Sequence, residues 1–144
     1  MHVDPTRFLR DSGLRVTKQR VAVVSALAEA PHSGAEAVFT RVRREVGQVS
    51  TQAVYDVLNT LTDRGLLRRI QPAGSSARYE LRVGDNHHHV VCRRCRAVAD
   101  VDCATGTAPC LDAGGLEHTP GFVIDEAEVT FWGVCSTCSQ STTD

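Results

Sequence analysis

Four cysteines in two Cys-x-x-Cys pairs, Cys92 with Cys95 and Cys135 with Cys138, constrain this 144-residue chain more than any other feature. A two-residue gap lets both thiolates of a pair point at one ion within a tight turn. Four thiolates then satisfy tetrahedral zinc at Zn–S distances of about 2.3 Å. The 39 residues between the pairs exceed the separation in a compact zinc ribbon, so each pair is expected at the end of a different strand. Disulfides and a thioredoxin-like redox motif are the competing readings. An intracellular chain disfavours stable disulfides, and a single redox motif leaves the second pair unexplained. Four cysteines closing on one ion leave no open position, which makes the expected zinc structural and not catalytic.

The charge distribution points to a division of labour. Residues 1–80 carry 12 Lys/Arg against 8 Asp/Glu, whereas residues 81–144 carry 4 against 9. All six cysteines and four of the six histidines lie in the acidic second part. A basic half suits a polyanion, and an acidic, Cys/His-rich half suits a metal. With 42% hydrophobic residues the chain is too apolar to be disordered. The uncharged stretch Val21–Ala28 is far short of the ~20 residues a bilayer requires. His2-Val3-Asp4-Pro5 lacks the pattern of a signal peptide. A cytoplasmic protein without membrane contact is the expectation.

The basic half reads as helices. Arg7–Ser12 is a short helical candidate stopped by Gly13. Thr17 opens a second helix whose apolar face is Val21, Val24, Leu27 and Ala28, and Ala30-Pro31 ends it. Ser33-Gly34-Ala35-Glu36 has capping-box spacing ahead of a helix presenting Val38, Val42 and Val46, which stops at Gly47. Ser50 then caps a helix with the stripe Val54, Val57, Leu58 and Leu61. Two helices joined by the short Gly47-Gln48-Val49 turn make a helix-turn-helix candidate. Thr51, Gln52, Tyr55, Asp56 and Asn59 face away from the stripe, and Gln and Asn can read adenine edges bidentately. An ordinary solvated helix face fits the same stripe. The strand-like runs Leu66–Gln71 and Arg78–Val83 around Pro72–Ser76 favour a β-hairpin, and so a winged arrangement. Arg68, Arg69 and Arg78 on that hairpin supply phosphate contacts, which position a protein without specifying sequence.

The acidic half carries a second concentration of ligands, His87-His88-His89 ahead of Cys92. In an extended segment His87 and His89 share one face and His88 takes the other. Two such imidazoles make half of a mixed nitrogen/oxygen site, and a His-rich loop without metal is the alternative.

Thr17-Lys18-Gln19-Arg20, Val49-Ser50-Thr51-x-x-Val54-Tyr55, Gly65-Leu66-Leu67, His87-His88-His89-x-x-Cys92-x-x-Cys95 and Cys135-x-x-Cys138 occur in that order. In this combination the chain resembles the ferric uptake regulator family of metal-dependent bacterial repressors, from about Leu14 to Cys138. The resemblance implies an α+β fold. A winged helix-turn-helix DNA-binding domain over residues 1–83 precedes a small α/β domain over 84–144, which serves dimerisation and metal sensing and is stapled by the four-cysteine zinc site. A hinge is implied near Val83 to Asp85. Short strands expected at Val90–Cys92, Ala97–Val101 and Glu126–Phe131 fit that architecture.

Carried over residue by residue, the family's regulatory site falls on His32, Glu80, His87, His89 and Asp100. Three imidazoles and two carboxylates suit Fe(II), Mn(II), Zn(II) or Ni(II), and Fe(II) or Mn(II) is the expected occupant. Ligands drawn from both domains give a metal differential affinity for a DNA-competent state. The implied partners are duplex operator DNA, contacted by Arg15, Thr51, Gln52, Tyr55, Asn59, Arg68 and Arg69, and a second copy of the chain.

The resemblance is strongest to peroxide-sensing and actinobacterial catalase-linked members. The peroxide-sensing branch tends to have Asp at position 100, where iron-uptake regulators have Glu. In that branch bound Fe(II) reacts with hydrogen peroxide, a ligand histidine is oxidised and DNA is released; His32 and His87 are the candidate targets. Asp100-Val101-Asp102-Cys103 followed by Ala108-Pro109-Cys110 resembles the catalase-linked members. A peroxide-responsive repressor is the leading expectation, and iron-uptake control without peroxide sensing is the alternative.

Asp56 departs from the family pattern, standing where Arg or Asn is usual. A third metal site from His88 and His118, with Asp102 or Glu117, is a further option. Cys103 and Cys110 lie outside the two pairs and read either as buried, inert residues or as oxidant-sensing thiols. Two other function classes compete: a metalloenzyme using the histidine cluster, for which no catalytic motif supplies a base or a pocket, and a zinc-stapled interaction module.

Overall fold

A computed structural model describes residues 2–82, 87–102, 121–122 and 128–140; for His87 and Asp102 it describes only the backbone. The chain divides into two compact units, Met1–Val83 and Gly84–Asp144.

The first unit is built from four helices and a small sheet: α1 (Pro5–Asp11), α2 (Lys18–Glu29), β1 (Ser33–Gly34), α3 (Ala35–Val46), α4 (Thr51–Asp63), β2 (Leu67–Ile70) and β3 (Arg78–Leu81). Its helix starts are set locally. The Asp4 carboxylate accepts from the Thr6 and Arg7 amides ahead of α1, Thr17 Oγ1 accepts from the Arg20 amide at α2, and Ser50 Oγ accepts from the Ala53 amide at α4. Gly13, Gly47 and Gly65 follow α1, α3 and α4 with φ of +72°, +86° and +75°, where a side chain is strained.

α3 starts differently from the capping-box expectation. Its N-cap is Gly34, which has no side-chain cap, and Ser33 Oγ donates back to the Ala30 carbonyl at 2.6 Å. The physical reason is that Ser33 and Gly34 form β1, paired antiparallel with Tyr79 and Arg78. That ladder commits the backbone ahead of the helix.

α2 packs against α1, α3, α4 and β3, and Ala22, Val23, Val24, Ala26 and Leu27 are all buried. The expected stripe through Ala28 is therefore too narrow: Ala28 is exposed, and the buried face is wider because α2 is central. Leu9, Val38, Val42, Val54, Leu58, Leu61, Leu67 and Tyr79 complete the core. The sheet order is β1-β3-β2, and β2–β3 is the hairpin expected after the second helix of the helix-turn-helix.

The second unit holds β4 (His87–Cys92), β5 (Val98–Asp102), β6 (Thr130–Gly133) and α5 (Ser136–Gln140), with sheet order β5-β4-β6. β5 runs antiparallel to β4 and β6 runs parallel to it. Among the described residues no helix is long and apolar enough to cross a membrane. Cys103, Cys110, Glu117, His118 and the start of the expected third strand, Glu126-Ala127, lie outside the described residues.

Candidate metal centres and nucleic-acid face

The parallel pairing of β4 and β6 brings the Cys-x-x-Cys turns together. Parallel neighbours share their C-terminal ends, and Cys92 at the end of β4 stands opposite Gly133 at the end of β6. Cys95 follows in the turn after β4, Cys135 in the turn after β6, and Cys138 in α5. The four Sγ atoms lie within 4.8 Å of one another, with Cys95 and Cys135 at 3.7 Å. A tetrahedron with 2.3 Å metal–sulfur bonds has S–S edges of about 3.8 Å, so the donor set fits a zinc ion.

Backbone contacts shape this knuckle. The Arg93 amide donates to the Gly133 carbonyl at 2.8 Å, the Cys92 amide to the Ala97 carbonyl at 2.9 Å, and the Arg96 amide to the Cys92 carbonyl at 3.0 Å. Arg96 has φ +65°, which turns the chain back into β5. The Cys135 amide donates to Cys92 Sγ at 3.4 Å. This bond is the first cause, with the Cys95 amide second, of a Cys92 thiol pulled down from 9.0 to about 6, against the opposing effect of burial. The Cys138 thiol is pushed up to about 12, first by its hydrogen bond with Cys135 and then by desolvation. Arg93 also lies over the Trp132 ring at 5.4 Å, and Arg94 Nη1 donates to the Cys138 carbonyl at 3.1 Å.

Each unit also presents an imidazole–carboxylate pair. In the first, His32 Nε2 is 3.1 Å from Glu80 Oε2, both side chains largely buried, and Arg68 Nε is 4.0 Å from the other carboxylate oxygen. In the second, His89 stands directly opposite Asp100 across the β4–β5 ladder, with Nε2 and Oδ1 3.6 Å apart. His89 is fully buried while Asp100 is half exposed. Borderline imidazole nitrogen and hard carboxylate oxygen suit a divalent transition ion at either pair. His87 lies opposite Asp102, and the structure describes neither side chain. His88 takes the register opposite Val101 and is buried, with Nδ1 lacking a hydrogen-bond partner among the described residues.

The remaining site residues fall on the first unit. Thr51, Gln52, Tyr55, Asp56 and Asn59 are all exposed on α4, opposite buried Val54, Leu58 and Leu61. Arg15 is exposed between α1 and α2, and its carbonyl accepts from Arg20 Nη1. On the hairpin Arg69 is exposed, Arg68 is turned toward Glu80, and Arg78 Nη1 donates to the His32 carbonyl at 3.3 Å. That last bond joins the hairpin to the loop before β1, and no sequence motif announces it. A cleft of about 690 Å³ runs between the start of α3, Tyr55 on α4 and Arg69, Gln71 and Arg78 on the hairpin.

Comparison with known proteins decides the kinship. Residues 11–106 match the model of the ferric uptake regulator family, which is more than half of the chain. The chain belongs to the ferric uptake regulator family. It is similar to the "Transcriptional regulator FurA" of Mycobacterium tuberculosis, with 58% identity over 97% of this chain and 93% of the relative. It is also 58% identical to the "Ferric uptake regulation protein 1" of Mycolicibacterium fortuitum, over 90% of this chain and 79% of the relative. In fold it is similar to the crystal structure of the Campylobacter jejuni peroxide stress regulator, with TM-score 0.71 and 24% identity over 96% of this chain and 100% of that one. This ferric uptake regulator family member is thus a transcriptional regulator. The α+β fold with a winged helix-turn-helix agrees with its structural neighbour, and the four clustered cysteines are able to hold zinc.

Proposed function

We propose that the protein is a metal-dependent transcriptional repressor that binds operator DNA as a homodimer in the cytoplasm. Residues 1–83 form its DNA-binding domain and residues 84–144 its dimerisation and sensing domain. Cys92, Cys95, Cys135 and Cys138 hold structural zinc. His32 and Glu80 join His87, His89 and Asp100 on one regulatory Fe(II) or Mn(II), the ligand set implied by family resemblance. The observation that carries this reading is the presence, in each unit, of an imidazole–carboxylate pair at family ligand positions. A ligand set split between two units binds its ion only in one arrangement of those units. Metal therefore gains the differential affinity a switch requires.

Arg15, Thr51, Gln52, Tyr55, Asn59 and the hairpin arginines Arg68 and Arg69 contact the duplex. His88 with His118 is the candidate pair for a third metal. Asp100, the residue type that the resemblance associates with peroxide-sensing members, favours release by peroxide; Fe(II) held there would supply the one-electron chemistry for peroxide to oxidise a ligand imidazole, with His32 and His87 the candidate targets. The alternative, a regulator of iron uptake answering to Fe(II) level alone, is favoured by the 58% identity to a protein named for ferric uptake regulation.

Footprinting of duplex DNA with Fe(II) or Mn(II), before and after peroxide, tests both readings. Metal-dependent protection lost only in the Fe(II) form supports peroxide sensing. Protection that survives peroxide in both forms supports the alternative, and no protection under any metal removes the repressor reading.

A further inference from the structure

The outward face of α4 carries a negative charge where a DNA reader has reason to avoid one. Asp56 is exposed one helical turn beyond Gln52, and Gln52 Nε2 donates to Asp56 Oδ1 at 2.8 Å. Among the described residues no cation pairs with Asp56, so its charge meets only an amide dipole. Thr51, Tyr55 and Asn59 share the face.

A carboxylate offers acceptors alone, so this bond decides which way the Gln52 carboxamide points. Its NH2 turns toward Asp56 and its Oε1 turns away. One amide N–H and the second carboxylate oxygen stay available. In the major groove adenine offers an amino donor beside an N7 acceptor, and cytosine offers an amino donor. Guanine offers two acceptors, O6 and N7, and thymine offers the O4 acceptor. A carboxylate set against O6 or O4 brings like partial charges together in a contact that has lost its water. Gln52 with one N–H committed also lacks the two donors that guanine requires.

Resting on the reading of α4 as the DNA-contacting helix, we propose that Asp56 determines operator specificity. It orients Gln52 and selects an exocyclic amino group, adenine N6 or cytosine N4, at the base it meets, while rejecting guanine and thymine. The same charge weakens contact with arbitrary DNA, because it opposes the phosphates that dominate non-specific binding. Specific and non-specific affinities are thereby driven apart.

The test is selection from a pool of randomised duplexes by the full-length protein with zinc and Mn(II), comparing wild type, Asp56→Asn and Asp56→Ala. Asn keeps an acceptor for Gln52 but removes the charge, whereas Ala removes both. Wild type is expected to favour adenine or cytosine over guanine or thymine by about tenfold at one position per half-site. Asp56→Asn is expected to keep adenine but to admit guanine or thymine at that position, because its amide can donate to O6 or O4. Asp56→Ala relaxes that position altogether and also the one read by Gln52, and both variants bind unselected duplex more tightly. Variants that keep the wild-type base preferences while gaining affinity uniformly overturn the proposal and leave the repressor reading intact. A wild type that enriches no duplex overturns the DNA-contacting role of α4, and the proposal with it.

Discussion

His32 Nε2 lies 3.1 Å from Glu80 Oε2 because β1 pairs with β3. Ser33 stands opposite Tyr79, which sets the residue before β1 beside the residue after Tyr79. The backbone at His32 is left-handed, φ +64°, a conformation costing a non-glycine residue about 1–2 kcal/mol. Arg78 supports it by donating to the His32 carbonyl. A turn that tolerates this strain places its imidazole against a carboxylate that is only 4% exposed.

Replacing Glu80 by Gln keeps the shape and removes the anionic ligand. Mn(II) affinity is expected to fall by at least about tenfold while the zinc content stays constant. Calorimetry with Mn(II), beside elemental analysis for zinc, checks this; unchanged Mn(II) affinity contradicts the regulatory assignment.

Cys92→Ser removes one of four thiolates. Zinc content is expected to drop to near zero, the midpoint of thermal unfolding to fall by on the order of 10 °C or more, and the proposed dimer to dissociate. Elemental analysis and sedimentation report the two losses separately. A zinc-free dimer of wild-type stability defeats the structural role.

In zinc-stripped protein, thiolate absorbance is expected to include a step at about pH 6 from Cys92, while Cys138 stays protonated until about pH 12. The depressed Cys92 value contributes folding stability that is complete above pH 9 and is lost as pH falls through 6. The raised Cys138 value contributes stability that is complete below pH 9 and is lost as pH rises through 12. Cys92→Ser should abolish the step near pH 6; its persistence assigns the ionisation to another group.

Arg69→Ala removes an exposed hairpin cation. Operator and random duplex are expected to weaken alike, with the slope of log affinity against log salt reduced by about one. Binding isotherms across a salt series measure it, and a change in base preference argues against a phosphate contact.

Leu58→Ala tests the α4 packing face. Leu58 is fully buried, so a loss of about 2–5 kcal/mol is expected in denaturant unfolding. Stability within about 0.5 kcal/mol of wild type, the range of surface substitutions, refutes that placement.

Thr17 and Ser50 caps, the glycine stops and the outward stripe of α4 were legible in the residues because each depends on neighbours within one or two turns. The Cys-x-x-Cys spacing likewise announced a shared ion, since two residues suffice to aim a pair of thiolates. Local rules failed where distant backbone intervened. Ser33 reads as a capping-box residue, yet β3 claims it for a ladder, and its hydroxyl turns back to Ala30. Ala28 reads as part of an apolar stripe, yet the central position of α2 widens the buried face to Ala22, Val23 and Ala26 beside Val24 and Leu27 and leaves Ala28 exposed.

By itself, the sequence determined the ligand types, the spacing within each pair and the helices that carry the candidate DNA face. Only tertiary structure decided which ligands meet. Parallel pairing of β4 with β6 carries Cys135 to Cys92 across the intervening chain, and the β4–β5 register sets His89 opposite Asp100 rather than one residue away. Side chains alternate faces along a strand, so a slip of one residue separates that pair. Such registers arise from non-local hydrogen bonding and packing, which no short window of residues encodes.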